Sequence, residues 1–214
     1  GGERLEEFYD HIPGQWGFIY LSESSHSNLI SYAEINNGTI GVLISASPES
    51  GLMPDLDISN TIINRMSSSG IYALNAAITG TNLVVGDCGG SCLALNYGGD
   101  YNFTHCTFAN YWPNGFSMRQ LPALMLTDYF GTYDDDGNLI VYTGGVFENA
   151  SFRNSIIYGE RSMELLIESY DGLQLNYLFD HCLTRIHKDS SRYLEDPLIT
   201  NIINNENPLF DSIP

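Results

Sequence analysis

The sequence predicts an all-β fold of stacked parallel strands, a β-helix, from three observations. First, the stretch DLDISNTIINRMSSSGIYALNAAITGTNLVVGDCGGSCLAL, Asp55 to Leu95, passes twice through one pattern. Asn60 precedes the apolar pair Ile62 and Ile63, and Gly70 opens the run Ile71, Tyr72, Ala73, Leu74; then Asn82 precedes Val84 and Val85, and Cys92 opens Leu93, Ala94, Leu95. Both markers move by 22 positions, the period of a repeat that stacks on itself. Second, residue character alternates. In FTHCTF, Phe103, His105 and Thr107 share one face, and Thr104, Cys106 and Phe108 the other, as a strand requires. Third, the markers persist. A sandwich or barrel also sets strands between turns, but a hairpin meander does not need like residues at a fixed spacing, whereas a coil lying on a coil does.

Along the chain, a glycine or its replacement opens an apolar run at Gly17, Gly41, Gly70, Cys92 and Gly115. A polar or aromatic residue stands two before an apolar pair at Tyr32, Asn60, Asn82, His105, Asn154 and His181. The two series interleave, so each repeat holds two strand-like runs with room for a short third. Glycine suits a corner where φ is positive or backbones crowd. Stacked polar residues suit a ladder of side-chain hydrogen bonds between coils.

The step from His105 to Asn154 is 49 positions, about two ordinary repeats. Within it, TDYFGTYDDDGNLIVYTGG (127–145) reads as a β-hairpin turning at Asp136, Gly137 and Asn138 and standing off the coil; a degenerate extra coil is the alternative. Residues 188–214 read as an irregular C-terminal cap, with DPLI and NPLF echoing each other, over what would be open strand edges. Residues 1–15 read as an irregular lead-in, too short and polar to close a coil, so further chain is expected before them. The whole of 1–214 reads as one domain of six to seven coils.

The chain is 43% hydrophobic and 16% charged, which is globular rather than disordered. Its net charge of −18 repels phosphate backbones and anionic lipid, which argues against nucleic acid or a membrane surface as partner. It also disfavours polyanionic polysaccharide unless calcium bridges the two. No apolar run is long enough to span a membrane.

These motifs resemble the right-handed parallel β-helix proteins of the pectate-lyase-like superfold. IPGQWGFIYL (Ile12 to Leu21), NGTIGVLI (Asn37 to Ile44), CGGSCLAL (Cys88 to Leu95), HCTFANYW (His105 to Trp112) and the terminal NPLF carry the resemblance. More narrowly, the chain is similar to a group of secreted or lipid-anchored proteins of polysaccharide-degrading gut bacteria, most without an assigned reaction. The resemblance implies an extracytoplasmic location. It does not imply catalysis, because no catalytic motif of the pectate lyases or polygalacturonases is matched residue by residue.

Lyase chemistry needs a base beside a uronate carboxylate and a cation to neutralise it; Arg65 and Arg119 are the arginines near turns of successive coils. Hydrolysis needs two carboxylates about 5–10 Å apart; Asp87 and Asp100 are the near pair. Asp134, Asp135 and Asp136 invite calcium, though they lack the alternation of a calcium loop and read equally as a solvated hairpin tip. Tyr97, Tyr101, Tyr111, Trp112 and Tyr129 crowd one part of the chain and offer ring faces to sugars. Cys106 and Cys182 share a place in coils two apart, so about 10 Å separates them and they read as buried free thiols. Cys88 and Cys92 flank one turn and read as packing residues, with a local disulfide as the alternative. The leading function is a non-catalytic module that binds polysaccharide; the alternatives are a polysaccharide lyase or glycoside hydrolase, and a structural or adhesion scaffold.

Overall fold

A computed structural model describes residues 11–47, 50–112, 118–172 and 175–211. In chain order these form β1 (Ile19–Leu21), β2 (Asn28–Ser31), β3 (Glu34–Asn36), β4 (Val42–Ser45), β5 (Asp55–Asn64), β6 (Ile71–Gly86), β7 (Leu93–Thr104), β8 (Thr107–Asn110) and β9 (Leu124–Thr127). There follow β10 (Phe130–Tyr133), β11 (Leu139–Tyr142), β12 (Val146–Arg153), β13 (Ile156–Gly159), β14 (Leu165–Glu168), β15 (Leu178–Asp180), β16 (Leu183–Thr184), the one-turn helix α1 (Ser191–Leu194), β17 (Ile199–Thr200) and β18 (Ile203–Asn204). Apart from β10 and β11, every strand belongs to one 16-stranded parallel sheet. It is strongly curled, into a half-barrel compatible with a β-helix-like solenoid.

The pairing register sorts the sheet into three rows. The first stacks Ile19, Val42, Ile71, Leu93, Leu124 and Leu165. The second stacks Ile58, Gly80, Phe103, Phe152, Phe179 and Ile199. The third stacks Ile35, Ile63, Val85, Phe108, Ile157 and Thr184. Like residues meet because each pass repeats the one before. The inward side chains of all three rows form one core. Phe152 is its centre, stacked at 5.3 Å on Phe103 and at 4.7 Å on Phe179. Gly80 sits at the head of that ladder, where a Cβ would come within 2.3 Å of the Phe103 ring.

The polar marker column is a corner. Tyr32, Asn60, Asn82, His105, Asn154, His181 and Asn201 all adopt left-handed backbone, with φ from 48° to 56°. Asparagine tolerates that conformation better than most residues. The expected ladder of side-chain bonds is partial: Asn82 Nδ2 donates to Asn60 Oδ1 at 2.8 Å and Asn201 Nδ2 donates across to Asp180 Oδ1 at 2.8 Å, with His181 Nδ1 2.9 Å from the same oxygen, while Tyr32, His105 and Asn154 are exposed. Simple alternation through FTHCTF also fails. The left-handed residue at His105 resets the phase, so that Phe103, Cys106 and Phe108 are all buried.

The glycine column has a different cause. Gly41 and Gly70 do not have positive φ; a Cβ on Gly70 would lie 2.2 Å from Val85 Cγ1 and 2.6 Å from Cys92 O. Their successors are Cys92, Ala123 and Glu164, as Leu93 N donates to Ala123 O and Leu124 N to Glu164 O. Gly17 is one residue out of register, because Ile19 pairs with Val42, and Gly115 lies outside the described residues.

The 49-position step is a single pass, since His105 N donates to Arg153 O. Its surplus holds the hairpin, with Phe130 opposite Tyr142 and Tyr133 opposite Leu139 in antiparallel register. The expected irregular cap is corrected in part. Ile199–Thr200 and Ile203–Asn204 continue the second and third rows, with Asn201 at their corner. The DPLI and NPLF echo is a repeated turn: Asp196 Oδ1 accepts from Leu198 N at 2.8 Å and Asn207 Oδ1 from Leu209 N at 2.9 Å, the bond an Asx-Pro turn makes.

Candidate functional site

The outward residues of the third row, Ile62, Val84 and Thr107, floor a groove of about 290 Å³. Ile62 and Val84 are 46% and 41% exposed, high for aliphatic side chains in the middle of a sheet. Tyr111, just past β8, and Phe210, from the C-terminal segment, form its wall and meet edge to face with centroids 6.3 Å apart. Asp87 and Asp211 supply carboxyl groups to the same cavity.

Asp87 is placed by the corner that follows the third row. Asn37, Arg65 and Asp87 are successive residues of that corner, all with positive φ. Asn37 Oδ1 accepts from Arg65 Nε at 3.1 Å. The next residue in the column, Asn110, clamps the following turn: its Oδ1 accepts from Cys88 N at 3.0 Å and its Nδ2 donates to Gly90 O at 2.9 Å. Asp87 is buried, and burial pushes its carboxyl up to about 6; the backbone N–H of Tyr111 and the charge of Arg65 pull the other way, and Glu160 adds to the rise. A carboxyl that titrates near neutrality beside aromatic rings can accept hydrogen bonds when ionised and donate one when protonated.

Of the sequence candidates, the structure brings Asp87, Arg65 and Tyr111 together. Asp100 is elsewhere: it starts the second row, accepts from Asn102 Nδ2 and Asn149 Nδ2 at 3.3 Å each, and lines a separate cavity with Asp55 and Asp57. It is therefore not the partner carboxylate of Asp87. Arg119 is not available either. Its guanidinium holds Glu164 in a buried two-pronged ion pair, at 2.8 and 2.5 Å, and also donates to Leu121 O and Asn110 O. The Glu164 carboxylate takes two more bonds, from Ala123 N and Arg161 N, so every strong position on it is filled.

The aromatic candidates divide. Tyr101 is fully buried, donates to Gly98 O at 2.8 Å and accepts from Ala76 N, so it offers nothing to a ligand. Trp112 is 6% exposed and lies against the Gly89 turn. Tyr97 and Tyr129 are half-buried and seat the hairpin side. Tyr97 meets Phe130 edge-on at 5.6 Å, Phe130 stacks on Tyr142 at 4.9 Å, and Tyr129 donates to Glu168 Oε2 at 2.7 Å while its ring meets Tyr170. Burial and that carboxylate push the Tyr129 hydroxyl up to about 12.

Searches of protein-family models, curated proteins and solved structures return no match to this chain. The site therefore rests on its own geometry. Asp134 at the hairpin tip accepts from Asp136 N, Asn138 N and Asn138 Nδ2, which closes the turn and lowers its carboxyl; Asp135 and Asp136 are exposed. Among the described residues no three His, Cys, Asp or Glu side chains are grouped to hold a metal ion. Sequence reasoning missed Phe210 and Asp211. NPLF was visible as a motif, but nothing in it says that the C-terminal segment folds back onto the third row.

Proposed function

We propose that the chain is a right-handed parallel β-helix module of six or seven coils in an extracytoplasmic protein, and that it binds carbohydrate in the groove beside its third row. The observation that carries the binding role is one cavity containing the rings of Tyr111 and Phe210 and the buried carboxyl of Asp87. An aromatic face takes the apolar side of a sugar ring, and carboxylates accept its hydroxyls. A volume of about 290 Å³ is at the small end for ligand pockets, so it suits one sugar residue rather than a long stretch of polymer. The three in-register rows and the quoted resemblance support the β-helix, and the resemblance supports the location. Calorimetry against neutral and acidic oligosaccharides, with and without calcium, tests the binding. Tyr111→Ala should weaken it at least tenfold, a loss of about 1.4 kcal/mol. Absence of heat with every sugar overturns the reading.

A second reading, glycoside hydrolysis, is favoured by two features: the Asp87 carboxyl is raised to about 6, and Asp211 shares its cavity. A carboxyl raised toward neutrality with a second carboxyl in the same cavity is the pairing that inverting and retaining mechanisms both use. Release of reducing ends that is lost in Asp87→Asn would support it, and no release from any bound sugar would exclude it.

A further inference from the structure

The turn that follows Asp87 carries two thiols that none of this uses. Cys88 and Cys92 are both fully buried, and they lie on either side of Gly89, Gly90 and Ser91. They are free; the Cys88 thiol donates to Gly86 O at 3.2 Å, and its nearness helps burial push the Cys92 thiol well above the ordinary range. The backbone around them is already fixed. Gly89 N donates to Met66 O at 2.9 Å, Gly90 N to Ser68 O at 2.7 Å, Gly70 N to Ser91 O at 3.0 Å, and Ile71 N to Cys92 O at 2.9 Å. Gly70 belongs to the same pocket, since a Cβ placed there would lie 3.4 Å from Cys88 Sγ and 2.6 Å from Cys92 O. In the preceding pass the equivalent residues are Met66 and Gly70, which cannot join. The other two thiols, Cys106 and Cys182, share a column but have Ser155 between them, as Ile156 N donates to Cys106 O and Leu183 N to Ser155 O. Two strand spacings are about 10 Å, beyond the Cα separation of about 7 Å that a disulfide permits.

We propose that Cys88 and Cys92 form a reversible disulfide across this turn, with a low-molecular-weight disulfide as oxidant, and that Cys106 and Cys182 do not. One cysteine thiolate attacks the oxidant and releases one thiol, and the second cysteine attacks the resulting mixed disulfide and releases the other. Two protein thiols are oxidised and one disulfide is reduced to two thiols. Both sulfurs are buried, so exchange is slow in the folded protein and fast while it refolds.

The test refolds the reduced chain with oxidised glutathione, removes the oxidant, denatures, and labels free thiols with maleimide. Two labels are expected, on Cys106 and Cys182, with a loss of two hydrogens and a fragment ion joining Cys88 to Cys92; dithiothreitol restores four labels. Four labels after oxidation, glutathione left on either member of the pair, or a bridge between any other two cysteines overturns the proposal. The reading needs no variant that might fail to fold. Cys88→Ser, where it folds, should leave three labels under both conditions.

Discussion

At the corner between the second and third rows, seven residues from Tyr32 to Asn201 share left-handed backbone and mostly face water. At the corner before the first row, Gly41 and Gly70 have no such conformation and lack room for a methyl group. Both corners repeat down the stack and both are visible as sequence markers. One is selected by dihedral energy, which acts on each residue alone. The other is selected by contact with the adjacent passes, so its occupant depends on its neighbours. The second column therefore drifts, from Gly70 to Cys92 to Ala123 to Glu164, while the first keeps to asparagine and histidine with a single tyrosine.

Substitutions separate these causes. The largest effect should come where the drifting column has replaced space with charge. Glu164→Ala leaves the buried guanidinium of Arg119 unpaired and should cost about 3–5 kcal/mol in urea unfolding. Gly70→Ala should cost about 1–3 kcal/mol, because the new methyl meets Val85 and a backbone carbonyl that cannot both withdraw. At the other corner, Asn82→Ala should cost about 1–2 kcal/mol for left-handed backbone, while Asn82→Gly stays within about 1 kcal/mol of wild type. An Asn82→Gly variant that loses as much stability as Asn82→Ala would erase the distinction.

The smallest effect concerns Asp87, whose corner conformation places a carboxyl where burial opposes its charge. An unfolded aspartate titrates near 3.9 and the folded one at about 6. The folded state thus holds the proton more tightly, and stability falls as pH rises between those values. Asp87→Asn should gain on the order of 1 kcal/mol at pH 7.5, with the gain gone by about pH 4. Paired melts at the two pH values check this. A gain that does not change with pH would mean that the carboxyl is not desolvated.

The stacking was legible because it rests on short-range repeats that survive without an alignment, such as Asn60 with Asn82 and Gly70 with Cys92. The left-handed column was visible as a pattern, but its cause was not: hydrogen-bonding ladders and left-handed corners select the same asparagines. The site was legible in halves. Asp87, Arg65 and Tyr111 are close in the repeat and follow from its register. Tyr101 and Trp112 were misjudged because crowding along the chain does not say which side a ring faces: Tyr101 lies in phase with Phe103 and is buried with it, and Trp112 is buried against the Gly89 turn. Asp100 was paired with Asp87 because a period fixes which pass a residue belongs to before it fixes which side it faces. Phe210, Asp211 and the contact between Glu164 and Arg119 span long sequence distances with no repeat to predict them.

The central claim is that each pass lies directly on the one before, and spin-label distances along the left-handed column test it most directly. Single nitroxide pairs linking Asn201 to His181, Asn154, His105, Asn82 and Asn60 in turn should give separations that grow by about 4.8 Å per step, reaching about 24 Å for Asn60. Separations that follow sequence distance, or that fail to rise in even steps, would contradict the stack and with it the groove assembled on its third row.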